Sequence, residues 1–213
     1  MPTPPELPNL PGPPWERPAR PPALVPGVGI PAPSRPTDAF NGLLARRILF
    51  LRALLDEQEA SALAAELMTL DAVADEPVTL LVNSPGGPLP EAFTVIDVIR
   101  SMRAPVTTVA LGQALGTAAA VLVLGTGGRE AVPNATISLR LDAHTKLTGS
   151  AVQLQRQAEH LAALRDRLAE LLADASALPL ELVRDDLDHG RPFDVQEALA
   201  SRLIDRTRAD RRL

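Results

Sequence analysis

Residues 78–120 read VTLLVNSPGGPLPEAFTVIDVIRSMRAPVTTVALGQALGTAAA, and their reading decides the fold. Val78–Val82 is a β-branched and leucine run of the kind a buried strand shows. Asn83-Ser84-Pro85-Gly86-Gly87 breaks it, because proline has no amide donor and glycine admits backbone angles closed to other residues. From Glu91 to Met102 the apolar residues Phe93, Val95, Ile96 and Ile99 fall on one helical face. Val106–Ala110 is the next strand, and Gly112-Gln113-Ala114-Leu115-Gly116 turns into a small-residue helix, Thr117–Leu124. Free amides at two strand ends beside a helix start make a natural oxyanion-binding corner. Whether a nucleophile stands in that corner decides the chemistry.

Working outward, Arg47–Leu51 (RILFL) is a candidate first strand. A helix follows with Ala60, Leu63, Ala64, Leu67 and Leu70 at helical spacing, Asp56 as its N-cap, and Glu57 and Glu59 at its positive end. Downstream, Glu130–Val132 and Thr136–Leu139 are two short strands around a Pro133-Asn134 turn. The alternation of strands and helices predicts an α/β fold with a largely parallel sheet. Residues 148–175 form the longest helix signal, with Ala151, Leu154, Ala158, Leu161, Leu164, Leu168, Leu171 and Leu172 on one stripe. Such a helix would run roughly 40 Å. Its stripe fits two readings equally: a protruding face that meets a partner, or a helix packed wholly on its own sheet. Leu180–Leu187 and Asp194–Ser201 are short amphipathic helices, the second with Asp194 and Glu197 spaced as a capping box.

The 213 residues allow one medium domain and a tail. Residues 1–38 hold most of the 22 prolines, and that composition predicts an extended or disordered segment. The domain is expected over residues 39–207, with a frayed end at 208–213. With 46% hydrophobic residues but only 2% aromatic ones, the core has to be built from Leu, Val, Ile and Ala. A net charge of −5 argues against a nucleic-acid partner. The absence of Cys excludes disulfides and thiol nucleophiles. No apolar run reaches membrane-spanning length and the N-terminus lacks a signal-peptide pattern, so the expected location is the cytoplasm.

Arg47–Leu51, the NSPGG turn, Asp97, the GQA turn, Pro133-Asn134-Ala135, the long helix and the run Glu197–Asp205 occur in unbroken order. Together they resemble the caseinolytic (Clp) protease proteolytic subunit, ClpP, over roughly residues 45–207. The resemblance implies the ClpP/crotonase fold of repeated β-β-α units with a protruding handle helix over 148–175. It implies homo- or hetero-oligomeric seven-membered rings that stack through that helix, fed by an ATP-driven unfoldase. It implies no cofactor and no metal.

Members of that family cut peptides with a Ser–His–Asp triad, in which an imidazole takes the serine proton and a carboxylate orients the imidazole. Carried over position by position, the resemblance puts the serine on Gly116 and the histidine on Arg140. The aspartate falls on Gly190 without a gap, on His189 with a slip of one residue, and on Asp188 with a slip of two. A permanent cation at 140 cannot act as a general base; it would meet carboxylates or peptide carbonyls instead. The family's two oxyanion donors map to the amides of Gly87 and Thr117. Replacement chemistry would need His144, or a dyad of Lys146 with Ser84, Thr117 or Ser138; Ser84 reads better as part of its turn. The family's apical tyrosines, which help receive the unfoldase, map to Thr79 and Leu81. The expectation is therefore a catalytically silent ring subunit, comparable to the ClpR subunits of mixed rings. The alternatives are an active serine endopeptidase and, on the same fold, crotonase-like acyl-thioester chemistry, for which no acidic base is evident.

Overall fold

A computed structural model describes residues 36–141 and 148–208 of the chain. In chain order the elements are α1 (Pro36–Leu44), β1 (Ile48–Leu54), α2 (Glu57–Val73), β2 (Val78–Gly86), α3 (Leu89–Ser101), β3 (Val106–Leu115), α4 (Thr117–Val123), β4 (Gly128–Ala131), β5 (Thr136–Ser138), α5 (Ala151–Ala175), α6 (Leu180–His189), α7 (Val195–Ala200) and β6 (Arg206–Thr207). The sheet runs β1-β2-β3-β4-β6, with β5 also on β3, and every ladder is parallel. One antiparallel bridge joins Ile137 to Phe193. The α/β fold with a parallel sheet is as the alternation of the sequence predicts.

Parallel strands covered by helices are buried on both sides. Val78, Leu80, Val82, Val106, Val109 and Ala110 are accordingly sealed from solvent. α2 turns Ala60, Leu63, Ala64, Leu67 and Leu70 into the core, while Asp56 caps its start by accepting from the Glu59 amide at 2.9 Å. Its last carbonyls would be orphaned. Arg47 reaches across to this end of the helix, donating to Leu70 O at 3.1 Å, to O of the capping residue Ala74 at 3.0 Å and to Glu76 O beyond it at 2.7 Å. α4, TAAAVLV, is buried on every face, and a helix without a polar face belongs in the interior.

Three boundaries differ from the sequence expectation. α1 begins at Pro36, inside the stretch assigned to the proline-rich segment; proline is well suited to a first helical position because its missing N–H is not needed there. The NSPG run does not end β2 at Val82, nor does GQAL end β3 at Ala110. Both strands continue through register shifts, with Ser84 opposite Ala114 and Leu54 opposite Gly86. Local turn composition is overridden by pairing with neighbouring strands. The long helix starts at Ala151 rather than 148, because Ser150 and Gln153 close a capping box ahead of it.

That helix is two things at once. In α5, Leu168, Ala169 and Leu172 are buried and Leu164 and Leu171 pack against the core, while Ala151, Val152 and Ala158 are exposed. Its second half belongs to the chain's own interior. Its first half does not. Residues 1–35, 142–147 and 209–213, which include His144 and Lys146, lie outside the described residues.

Candidate active-site corner

The corner forms where β2 and β3 end side by side. β3 pairs with β4 through Thr107–Ala110 and then with β5 through Gln113–Leu115, so the sheet changes partner just before Gly116. Gly116 sits between β3 and α4 at φ 55° and ψ −123°, in a region that favours glycine. Its amide donates to Ser138 O at 2.7 Å. A side chain added here would begin 3.2 Å from Arg140 O. A sharp strand-to-helix turn of this kind is what exposes a nucleophile on hydrolase sheets. Here the turn is kept and the side chain is hydrogen.

Residue 140 lies two residues beyond the end of β5, and its carbonyl comes beside Gly116. Arg140 is exposed, and its amide donates to Ser138 Oγ at 3.4 Å. The next residue, Leu141, donates to Leu187 O at 2.9 Å in the last turn of α6. The chain thus assembles positions 116 and 140 with the end of α6, near where the third position was sought. Gly190 caps α6, its amide donating to Asp186 O at 3.0 Å. An added Cβ there would lie 2.3 Å from that same oxygen. Asp188 pairs with Arg165 of α5, whose hydrogen bond holds its carboxyl below the usual range. His189 Nδ1 lies 3.3 Å from Asp185 Oδ1 on the exposed face of α6. Both side chains are engaged on the surface of α6, with Arg165 and Asp185.

The hydroxyls considered as substitutes are also engaged. Ser84 is wholly buried; it donates to Ala53 O at 2.5 Å and accepts from the Gly86 amide at 3.0 Å. It ties β1 to the glycine turn. Thr117, 2% exposed, donates to Gly87 O at 3.0 Å and accepts from the Gly87 amide at 2.8 Å. One of the two expected oxyanion donors therefore has a partner from within the chain. Gly87 itself is fixed by crowding, since a Cβ there would come within 2.0 Å of Leu55 O. No sequence signal marks these contacts: the sequence points to Thr117 for its amide and for reactivity, and the hydroxyl's partner lies thirty residues away.

At β2, Thr79 is half-buried and Leu81 is buried, in the places mapped to the apical tyrosines. Among the described residues no group of three or more His, Asp or Glu side chains is placed to hold a metal. Nor is any described helix long and apolar enough to cross a membrane.

The model of the Clp protease family matches residues 32–210 of this chain. The chain belongs to the Clp protease family. It is 30% identical over 181 residues to "ATP-dependent Clp protease proteolytic subunit 2" of Streptomyces coelicolor, covering 84% of this chain and 83% of that protein. It is 32% identical over 174 residues to the subunit of the same name from Corynebacterium jeikeium, covering 81% and 83%. A proteolytic subunit 3 from Streptomyces avermitilis is 35% identical over 167 residues, covering 78% of this chain and 76% of that protein. As a Clp-family chain it keeps the glycine-lined corner between β2 and α4 and carries Gly116 and Arg140 beside it.

Proposed function

We propose that this Clp-family chain is a ring subunit without peptidase activity of its own, which contributes structure or regulation to a Clp protease complex. The observation that carries the reading is Gly116. It stands on the strand-to-helix turn with the backbone a nucleophile would use, and offers no atom to attack a carbonyl. Arg140 beside it cannot take a proton at neutral pH. Ser84 and Thr117 each have donor and acceptor engaged in buried hydrogen bonds, which argues against either as a substitute. The role in a ring is supported by the first half of α5, where Ala151, Val152 and Ala158 are exposed and Leu154 and Leu161 only half-buried among the described residues. The named relatives are ATP-dependent proteolytic subunits; by analogy the ring would be shared with ClpP-like subunits and served by an ATP-driven unfoldase, in the cytoplasm.

Two measurements test this. The purified chain is challenged with a fluorogenic dipeptide and a serine-directed active-site label; neither turnover nor labelling is expected, and stoichiometric labelling of any hydroxyl overturns the reading. Native mass spectrometry after co-expression with an active ClpP subunit from the same cell is expected to show mixed rings. Exclusive self-assembly would point to an independent role.

A further inference from the structure

We propose that Thr117 is a built-in occupant of the oxyanion corner, so that the corner is closed to a peptide carbonyl independently of the missing nucleophile. The inference rests on reading Gly87 and residue 117 as the family's oxyanion pair. An oxyanion corner works because its donors are oriented but still available when charge develops. The Gly87 amide is not available: it donates to Thr117 Oγ1 at 2.8 Å. The same hydroxyl donates back to Gly87 O at 3.0 Å, so its one proton and an acceptor site are both engaged on a single residue.

The seat for this hydroxyl is built. Gly86 and Gly87 have no Cβ, and a Cβ on Gly86 would lie 2.9 Å from Thr117 Oγ1 and 2.6 Å from Leu115 O. Gly86 lets the side chain into a place that any other residue's Cβ would crowd, while Gly87 is held by its close approach to Leu55. Threonine is suited to hold it, because a β-branched side chain is stiff at χ1. At 2% exposure the Thr117 side chain is sealed from bulk solvent. A neutral substrate carbonyl entering here would have to displace Oγ1 and leave a buried hydroxyl unpaired, which is unfavourable. Restoring a serine at 116 would accordingly give a nucleophile facing an occupied corner.

The test is residue-resolved amide hydrogen exchange on the full chain, comparing wild type with Thr117→Val and Thr117→Ser. The Gly87 amide is expected to be protected in the wild type. It should exchange at least about tenfold faster in the valine variant, with the Val82 and Val109 amides unchanged, while the serine variant retains most of the protection. If valine is not tolerated, Thr117→Ala removes the same hydroxyl without adding bulk. Equal Gly87 exchange with and without the hydroxyl, or an unprotected Gly87 amide in the wild type, overturns the proposal. The outcome is separable from the question of activity. Peptide cleavage by the wild type would defeat the silent-subunit reading and leave the exchange result standing. Failure of the exchange test would remove the occupant and leave that reading on Gly116 and Arg140.

Discussion

The corner between β2 and α4 and the first half of α5 are opposites in how they are satisfied. In the corner the side chains and the Gly116 amide have partners inside the chain: Ser84 with Ala53 and Gly86, Thr117 Oγ1 with Gly87, Gly116 N with Ser138. On the first half of α5, Ala151, Val152 and Ala158 face solvent. On the proposed reading the position of the family's nucleophile has become a packed joint, while among the described residues the first half of α5 stays exposed. The difference separates a packed interior corner from an exposed helix face that the proposed ring role would use. A corner with no side chain at position 116 still has to be packed, and Gly86 and Thr117 pack it.

Substitutions should separate the two regions by size of effect. The largest is expected for Gly87→Ala, whose Cβ would collide with Leu55 O; chemical denaturation should show a loss of about 3 kcal/mol or more. A variant as stable as wild type would mean that the corner is looser than described. Ser84→Ala deletes a buried hydroxyl with two partners, and should cost about 1–3 kcal/mol in the same measurement. Gly116→Ser forces a side chain into a left-handed backbone 3.2 Å from Arg140 O, for about 1–2 kcal/mol. It should produce no peptide hydrolysis, and turnover by this single variant would show that a base remains within reach.

A smaller effect is expected where β4 meets the end of the chain. Arg129 donates from Nη2 to Asp205 Oδ1 at 2.6 Å and from Nε to Oδ2 at 3.1 Å, and these bonds hold the Asp205 carboxyl below its usual range. A depressed folded value means stability that is present above the ordinary aspartate value and is lost as pH falls through the folded one. Asp205→Asn should thus cost about 1 kcal/mol or less at neutral pH, because the pair is partly exposed, and the gap to wild type should close in acid. A gap that persists at low pH would assign the effect to packing. The smallest change in protomer stability is predicted for Val152→Glu, within about 0.5 kcal/mol, since that side chain is already 62% exposed. The same variant should reduce ring assembly measured by light scattering. Unchanged assembly would detach this half of α5 from any interface.

The order of strands and helices was legible in the sequence because buried parallel strands and amphipathic helices leave distinct apolar spacings. The N-cap Asp56 and the capping box of Asp194 with Glu197 were legible too, because caps are contacts between near neighbours. Strand ends were not, since Asn83–Gly86 and Leu111–Leu115 look like turns until β1, β3 and β5 pair with them. Nor was α1, because the proline density of the segment before it hid a helix that starts on a proline.

By itself, then, the sequence determined the fold class, the family resemblance, and the identity of the atoms present at 116 and 140, because these depend on residue type and local order. Only the tertiary structure decided which half of α5 is covered and what the hydroxyl of Thr117 does. A hydroxyl has one proton to give, and its direction is set by whichever backbone folding brings against it. For Thr117 that backbone is Gly87, thirty residues earlier in the chain.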